Sequence, residues 1–167
     1  MPSLVGSEMC IRDRETNSVR YRGGGKFTNG SSSLAWGLQT AFTENTAFSR
    51  GTIYADSSFV VCNCEGTTFS NNYAFKHGGA IKAERSSSIS SDGKTFFTSN
   101  EALEDGGPVY LTDYSTGSWK GVTKFINNSA SNGVWVMPIS SANVSWNSEI
   151  VSTNTSATYL CGALYTI

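Results

Sequence analysis

A chain of 167 residues with 38% hydrophobic and 15% charged residues has the length of one domain but a lean supply of core-forming side chains. Its net charge of −1 leaves no basic stripe to neutralise phosphates and no polybasic anchor for anionic lipid, so no nucleic-acid partner is expected. No apolar run approaches the roughly 20 residues of a membrane-spanning helix, and a polar fraction rich in Ser, Thr, Asn and Gly favours strands and turns.

Taken in chain order, residues 1–14 stand apart. Ser3 to Arg14, SLVGSEMCIRDR, resembles one reading frame of a widely used transposase sequencing adapter. It is expected to be an artefact outside the fold, with the natural sequence beginning near Glu15. Cys10 goes with it, leaving Cys62, Cys64 and Cys161. Residues 15–41 read as an irregular or degenerate first coil, and residues 42–167 as a run of repeats.

The repeats carry the fold. Phe42-Thr-Glu-Asn45-Thr-Ala47 precedes Gly51-Thr-Ile53, and Phe69-Ser-Asn-Asn72-Tyr-Ala74 precedes Gly78-Gly79-Ala-Ile81. Phe97-Thr-Ser-Asn100-Glu-Ala102 precedes Gly106-Gly107-Pro-Val109, and Phe125-Ile-Asn-Asn128-Ser-Ala130 precedes Gly133-Val-Trp135. A weaker fifth copy runs from Val151-Ser-Thr-Asn154 through Ala157 to Gly162-Ala-Leu164. The four Phe positions are 27, 28 and 28 residues apart, a period that signals a solenoid. Each copy holds short β-type segments broken by Gly, Asn and Ser, with no helical periodicity over ten residues, which excludes helical arrays.

The expected fold is therefore all-β, a parallel β-helix of about five coils of roughly 28 residues, in which stacking about 4.8 Å apart turns equivalent residues into columns. The Phe residues should form an inward aromatic column. The Asn residues should form a ladder of side-chain amides, and the Ala residues should fit where only a small side chain has room. The glycines should supply positive φ at a corner, after which Ile53, Ile81, Val109, Trp135 and Leu164 open the next inward strand. A second apolar patch, Ser58 to Cys62 and Val144 to Trp146, is expected on another side of each coil with poorer register.

The Phe-x-x-Asn-x-Ala plus Gly-Gly-Ala-Ile combination, most complete from Phe69 to Ile81, resembles the repeats of the chlamydial polymorphic outer membrane protein family. The resemblance covers Phe42 to Tyr165 and departs from the pattern at Arg50-Gly51, Asn132-Gly133 and Cys161-Gly162. It implies a right-handed β-helix displayed outside the cell as an autotransporter passenger, with adhesive function toward a host or neighbouring-cell surface protein or glycan. The implied location is extracellular or cell-surface, at the bacterial outer membrane if the chain is an autotransporter passenger.

No catalytic, cofactor or metal site is expected, and binding is expected to fall to the irregular turns between the repeats. Glu101, Glu104 and Asp105 are the one dense acidic group, and the neighbouring coils offer Tyr73, Lys76 and His77 on one side and Ser129 and Asn132 on the other. A solvated turn is the expected state, with a carbohydrate-active lyase or hydrolase as the rival reading. His77, the sole histidine, is expected to be exposed. Cys62 and Cys64 lack four-ligand spacing for a metal and should point to one face, a poor geometry for bridging each other. Asn29, Asn127, Asn143 and Asn154 fit the N-glycosylation pattern. The threonines form no clean Thr-x-Thr array, which argues against ice binding.

Overall fold

The computed structural model describes residues 18–19, 26–133 and 135–160. The segment from Ser3 to Arg14, Cys161, Gly162 and Leu164 lie outside the described residues. Among those described there is no helix, and the strands stack in parallel as a β-solenoid of about 5 turns of ~27 residues.

Three sheets run along the stack. The first contains the alanines: Ser18–Val19, Thr46–Ala47, Tyr73–Ala74, Glu101–Asp105, Ser129–Asn132 and Ser156–Leu160. The second, which follows it in each coil, contains Lys26–Asn29, Ile53–Asp56, Ile81–Glu84, Val109–Leu111 and Val136–Pro138. The third is bent over two sides. Ser33–Thr43 and Phe59–Ser70 span both sides as long strands, whereas later coils divide the same path into Ser88–Ser91 with Lys94–Thr98, Thr116–Trp119 with Thr123–Ile126, and Asn143–Trp146 with Ile150–Thr153.

Register turns the repeat into chemistry. Phe42, Phe69, Phe97 and Phe125 are direct neighbours in the third sheet, and their rings lie 5.0, 5.2 and 5.1 Å apart, within 8–11° of parallel. All four are buried. Two residues before each Phe, Thr40, Thr67, Thr95 and Thr123 form a second buried column in the same register. Because strand side chains alternate, Thr and Phe two apart share the inward face, so this threonine column is core.

The segments Ser58 to Cys62 and Val144 to Trp146 are in full register with their neighbours. Leu34, Val60, Ile89, Gly117 and Val144 form one column, and Trp36, Cys62, Ser91, Trp119 and Trp146 the next. Their pattern is hard to read in sequence because sizes vary along each column. Gly117 makes room for the Trp119 ring, which a Cβ there would strike. Cys62 is buried and disulfide-bonded, and its Sγ is 2.9 Å from Thr67 Oγ1.

Two corners are held by ladders. At the first, the Asn45, Asn72 and Asn100 Nδ2 groups donate to the Oδ1 atoms of Asn72, Asn100 and Asn128, at 2.9, 2.9 and 3.1 Å. The same oxygens accept the backbone N–H of the preceding coil's Asn. At the second corner Ser58, Ser87 and Ser115 are buried. The Ser87 and Ser115 hydroxyls accept the backbone N–H groups of Ser58 and Ser87, each at 3.2 Å, and the Ser58 and Ser87 hydroxyls donate to the carbonyls of Asp56 and Glu84. Both ladders satisfy buried groups that a chain turning away from its sheet would otherwise leave bare.

The glycine corner corrects the sequence reading. Gly78, Gly106 and Gly133 have φ near +60°, but Gly51, Gly79 and Gly107 are not in that region. Gly51 and Gly79 are required by close approach: a Cβ on Gly51 would meet the Gly78 carbonyl, and one on Gly79 the carbonyls of Glu101 and Gly107. Gly133 therefore corresponds to the first glycine of each pair, and the inward residue after it is Val136, which pairs with Val109. Trp135 instead lies on Phe125, 5.5 Å away and 3° from parallel. It covers the end of the Phe column, where the register neighbour of Phe125 is Ser152. The fifth copy is likewise shifted by one, because Ala157 pairs with Ala130 and this places Thr155, not Asn154, at the ladder position.

Candidate functional site

Alternation along the second sheet sends Ile53, Ala55, Ile81, Ala83, Val109 and Leu111 into the core and the residues between them outward. The outward column is Phe27, Tyr54, Lys82, Tyr110 and Met137, beside a shorter one of Asn29, Asp56 and Glu84. This face is not bare. The chain arriving from the alanine sheet lays Arg50, His77 and Asp105 over it, joined by parallel bridges.

Two connected clusters result. In one, Tyr54 is buried beneath Phe27, whose ring stacks 5.1 Å away, and beneath the Arg50 guanidinium, 4.2 Å from the ring centre. The Tyr54 hydroxyl donates to Glu84, and burial together with that carboxylate pushes its pKa upward. Arg85 holds Asp56 in a bidentate pair. Burial alone would raise the Asp56 pKa, but hydrogen bonding and charge from Arg85 prevail and hold it below the ordinary value. Phe27, Asn29, Arg50, Asp56, Ser57 and Arg85 line an open cleft of about 370 Å³.

In the other cluster His77 stacks on Tyr110, with ring centres 4.5 Å apart. Its Nδ1 lies 3.2 Å from Asp105 Oδ2 and its Nε2 3.6 Å from Glu104 Oε2. Asn132 Nδ2 donates to the other Asp105 oxygen at 2.7 Å. Lys82 connects the clusters, 3.2 Å from Glu84 and 5.5 Å from the centre of the Tyr110 ring. Burial and neighbouring carboxylates push Tyr110 up to about 12. Burial likewise lowers Lys82 against the opposing pull of Glu84, while Glu84 is held down by Tyr54 and Lys82 against its own burial.

No known family, curated protein or solved structure matches the chain.

The lateral face thus brings together Glu104, Asp105 and His77 from the acidic group, whereas Glu101 sits on the alanine sheet beside Tyr73 and Ser129. The expectation of an exposed His77 is corrected: its side chain is 20% exposed, because Tyr110 covers one ring face. Arg50, Tyr54, Asp56, Lys82, Glu84, Arg85 and Tyr110 are the members that sequence reasoning missed. Their signal is the partner half of the alternation, Ile-Tyr-Ala-Asp above Ile-Lys-Ala-Glu. Beside them runs a half-exposed apolar strip, Phe48, Phe75 and Leu103, with the two Phe rings 5.5 Å apart.

The sequon asparagines Asn29, Asn127, Asn143 and Asn154 are all exposed. Asn127 and Asn154 occupy the positive-φ position just before the ladder. Asn128, next to Asn127, is the buried ladder member.

Acid should loosen this face first. Burial and Lys82, with Lys76, lower the His77 pKa more than Asp105 and Glu104 raise it. The unfolded chain, titrating near about 6.5, then takes up a proton that the folded chain refuses. Stability is full above that pH and is lost as pH falls toward the folded-state value. Asp56 and Glu84, also lowered, extend the loss below about pH 4. The thermal midpoint is expected to fall between about pH 7 and pH 5, and to fall less steeply in His77→Gln; equal slopes for the two proteins would contradict this assignment.

Proposed function

We propose that this chain is a segment of a cell-surface or secreted β-solenoid scaffold, adhesin-like or autotransporter-passenger-like, that binds a protein or glycan of a host or neighbouring cell through one lateral face. One observation carries the reading. The repeated Phe, Thr, Asn and Ala columns are consumed by the inside of the solenoid, while ionisable and aromatic side chains that differ from coil to coil gather on the second sheet and the corner beside it. Arginine and exposed phenylalanine on a rigid framework are the chemistry of interface anchors. The same groups stack on and hydrogen-bond to sugars. The repeat's resemblance to polymorphic outer membrane proteins supports the surface location, and the disulfide at Cys62 fits an oxidising compartment.

The purified chain is expected to bind saturably to a subset of a glycan array or to the surface proteins of intact cells. Arg50→Ala combined with Phe75→Ser should weaken that binding at least about tenfold, a loss of about 1.4 kcal/mol. Equal binding by the double variant would overturn the lateral-face assignment.

A second reading, a fragment of a carbohydrate-active enzyme, is favoured by one observation: Glu104 and Asp105 share a site with His77, and paired acid and base groups are what glycoside cleavage requires. Release of new reducing or unsaturated ends from polygalacturonate, abolished by Asp105→Ala, would replace the scaffold reading with this one.

A further inference from the structure

A single histidine gives no sequence signal for a metal site, yet stacking of coils surrounds it with carboxylates. One ligand atom each from His77, Glu104 and Asp105 lies within 4.8 Å of the others. His77 Nδ1 is buried and makes no hydrogen bond, although Asp105 Oδ2 is only 3.2 Å away. A neutral imidazole carries one N–H and one lone pair. Both ring nitrogens have a carboxylate oxygen close by, so in either tautomer an unprotonated nitrogen sits beside an anion. A metal cation between them removes that conflict.

We propose that His77, Glu104 and Asp105 form a binding site for one divalent transition-metal ion, Zn²⁺ foremost. An imidazole nitrogen with two carboxylate oxygens is a donor set that zinc accepts at about 2.0–2.2 Å, which in a tetrahedral arrangement puts ligand atoms roughly 3.4 Å apart. The Nδ1–Asp105 pair, 3.2 Å apart, is close to that spacing, and Glu104, which lies 3.6 Å from the ring's other nitrogen, would turn toward the same ion. Asn132 fixes the outer oxygen of Asp105, the kind of supporting hydrogen bond that orients metal-binding carboxylates. Glu104, about half exposed, closes the site from the solvent side and leaves a coordination position for water. The site stands on its own geometry, independently of what the lateral face binds.

The test uses the whole chain, stripped with EDTA and desalted. Zn²⁺ is expected to bind with one-to-one stoichiometry by calorimetry and to raise the thermal midpoint, with Ca²⁺ and Mg²⁺ far weaker because nitrogen is a poor ligand for them. Co²⁺ in the same site should show the intense visible absorption of a tetrahedral ion. Affinity should fall at least about tenfold in His77→Ala and in Asp105→Asn. Glu104→Gln, at an exposed position that the fold does not need, should weaken binding with unchanged circular dichroism, so the proposal stays testable if the other variants unfold. Absence of saturable binding at millimolar Zn²⁺ overturns it. So does binding that survives His77→Ala, which would place the ion on cysteine.

Discussion

Phe97→Ala is expected to lower the thermal midpoint by roughly 8–16 °C. Phe97 is fully buried, its ring sandwiched between Phe69 and Phe125 at 5.2 and 5.1 Å with the edge of Trp119 against it. Truncating a buried Phe costs about 3–5 kcal/mol, and each aromatic pair lost adds about 0.5–1.5 kcal/mol beyond burial. Taking about 4 kcal/mol, and about 2–4 °C per kcal/mol for a chain of this size, gives the stated range. Position matters because a solenoid is stabilised by nearest-neighbour contacts between coils. A cavity in a central coil weakens both of its interfaces. Phe97→Leu, which retains more than half of the buried side-chain area, should cost clearly less. A Phe97→Ala midpoint within about 2 °C of the parent would mean that the column is not the core.

The Phe, Asn and Ala columns were legible in the sequence because each has a narrow chemical requirement met by one residue type at a fixed period. A stacked aromatic ring, a self-complementary amide and a side chain with no room beyond Cβ each admit few substitutes. Columns with looser requirements were harder to see. Thr40, Thr67, Thr95 and Thr123 repeat as faithfully as the phenylalanines, but the same sequence scatters other threonines over its surface. The serine ladder is hidden in runs such as Ser86-Ser87-Ser88. Register failed at the two places where the chain changes length, around Gly133 and at Thr155, since an inserted or deleted residue in a corner costs little while strand pairing resumes beyond it. The lateral cluster was least legible of all. Arg50, Tyr54, Lys82, Glu84 and Tyr110 come from successive coils, do not repeat, and meet only because about 27–30 residues of chain return to the same place.

Asn100→Ala should cost on the order of 2–6 kcal/mol, although it removes only a short polar side chain. Asn100 Oδ1 accepts from the backbone N–H and the Nδ2 of Asn72, and its own Nδ2 donates to the Phe69 carbonyl at 2.9 Å and to Asn128 Oδ1. Alanine strands the Asn72 N–H and the Phe69 carbonyl away from water, at about 1–3 kcal/mol for each buried group left unpaired. Asn100→Asp separates the two halves of the ladder residue's work. A carboxylate still accepts from Asn72, but it cannot donate to Phe69 or Asn128 and places a buried charge against two oxygens. Burial and the two facing oxygens raise that carboxyl's folded-state pKa above the unfolded value of about 3.9. The folded chain then binds the extra proton first, so the variant's penalty grows as pH rises through the unfolded value and shrinks on acidification. Measured against Asn100→Ala at each pH, which cancels the contribution of His77, Asn100→Asp is expected to gain stability between about pH 7 and pH 4. An Asn100→Ala midpoint equal to that of the parent, or an Asp variant whose difference from Ala is independent of pH, would show that the amides do not carry the corner. The ladder needs an acceptor and a donor in one side chain, and among residues of this size and charge that is asparagine.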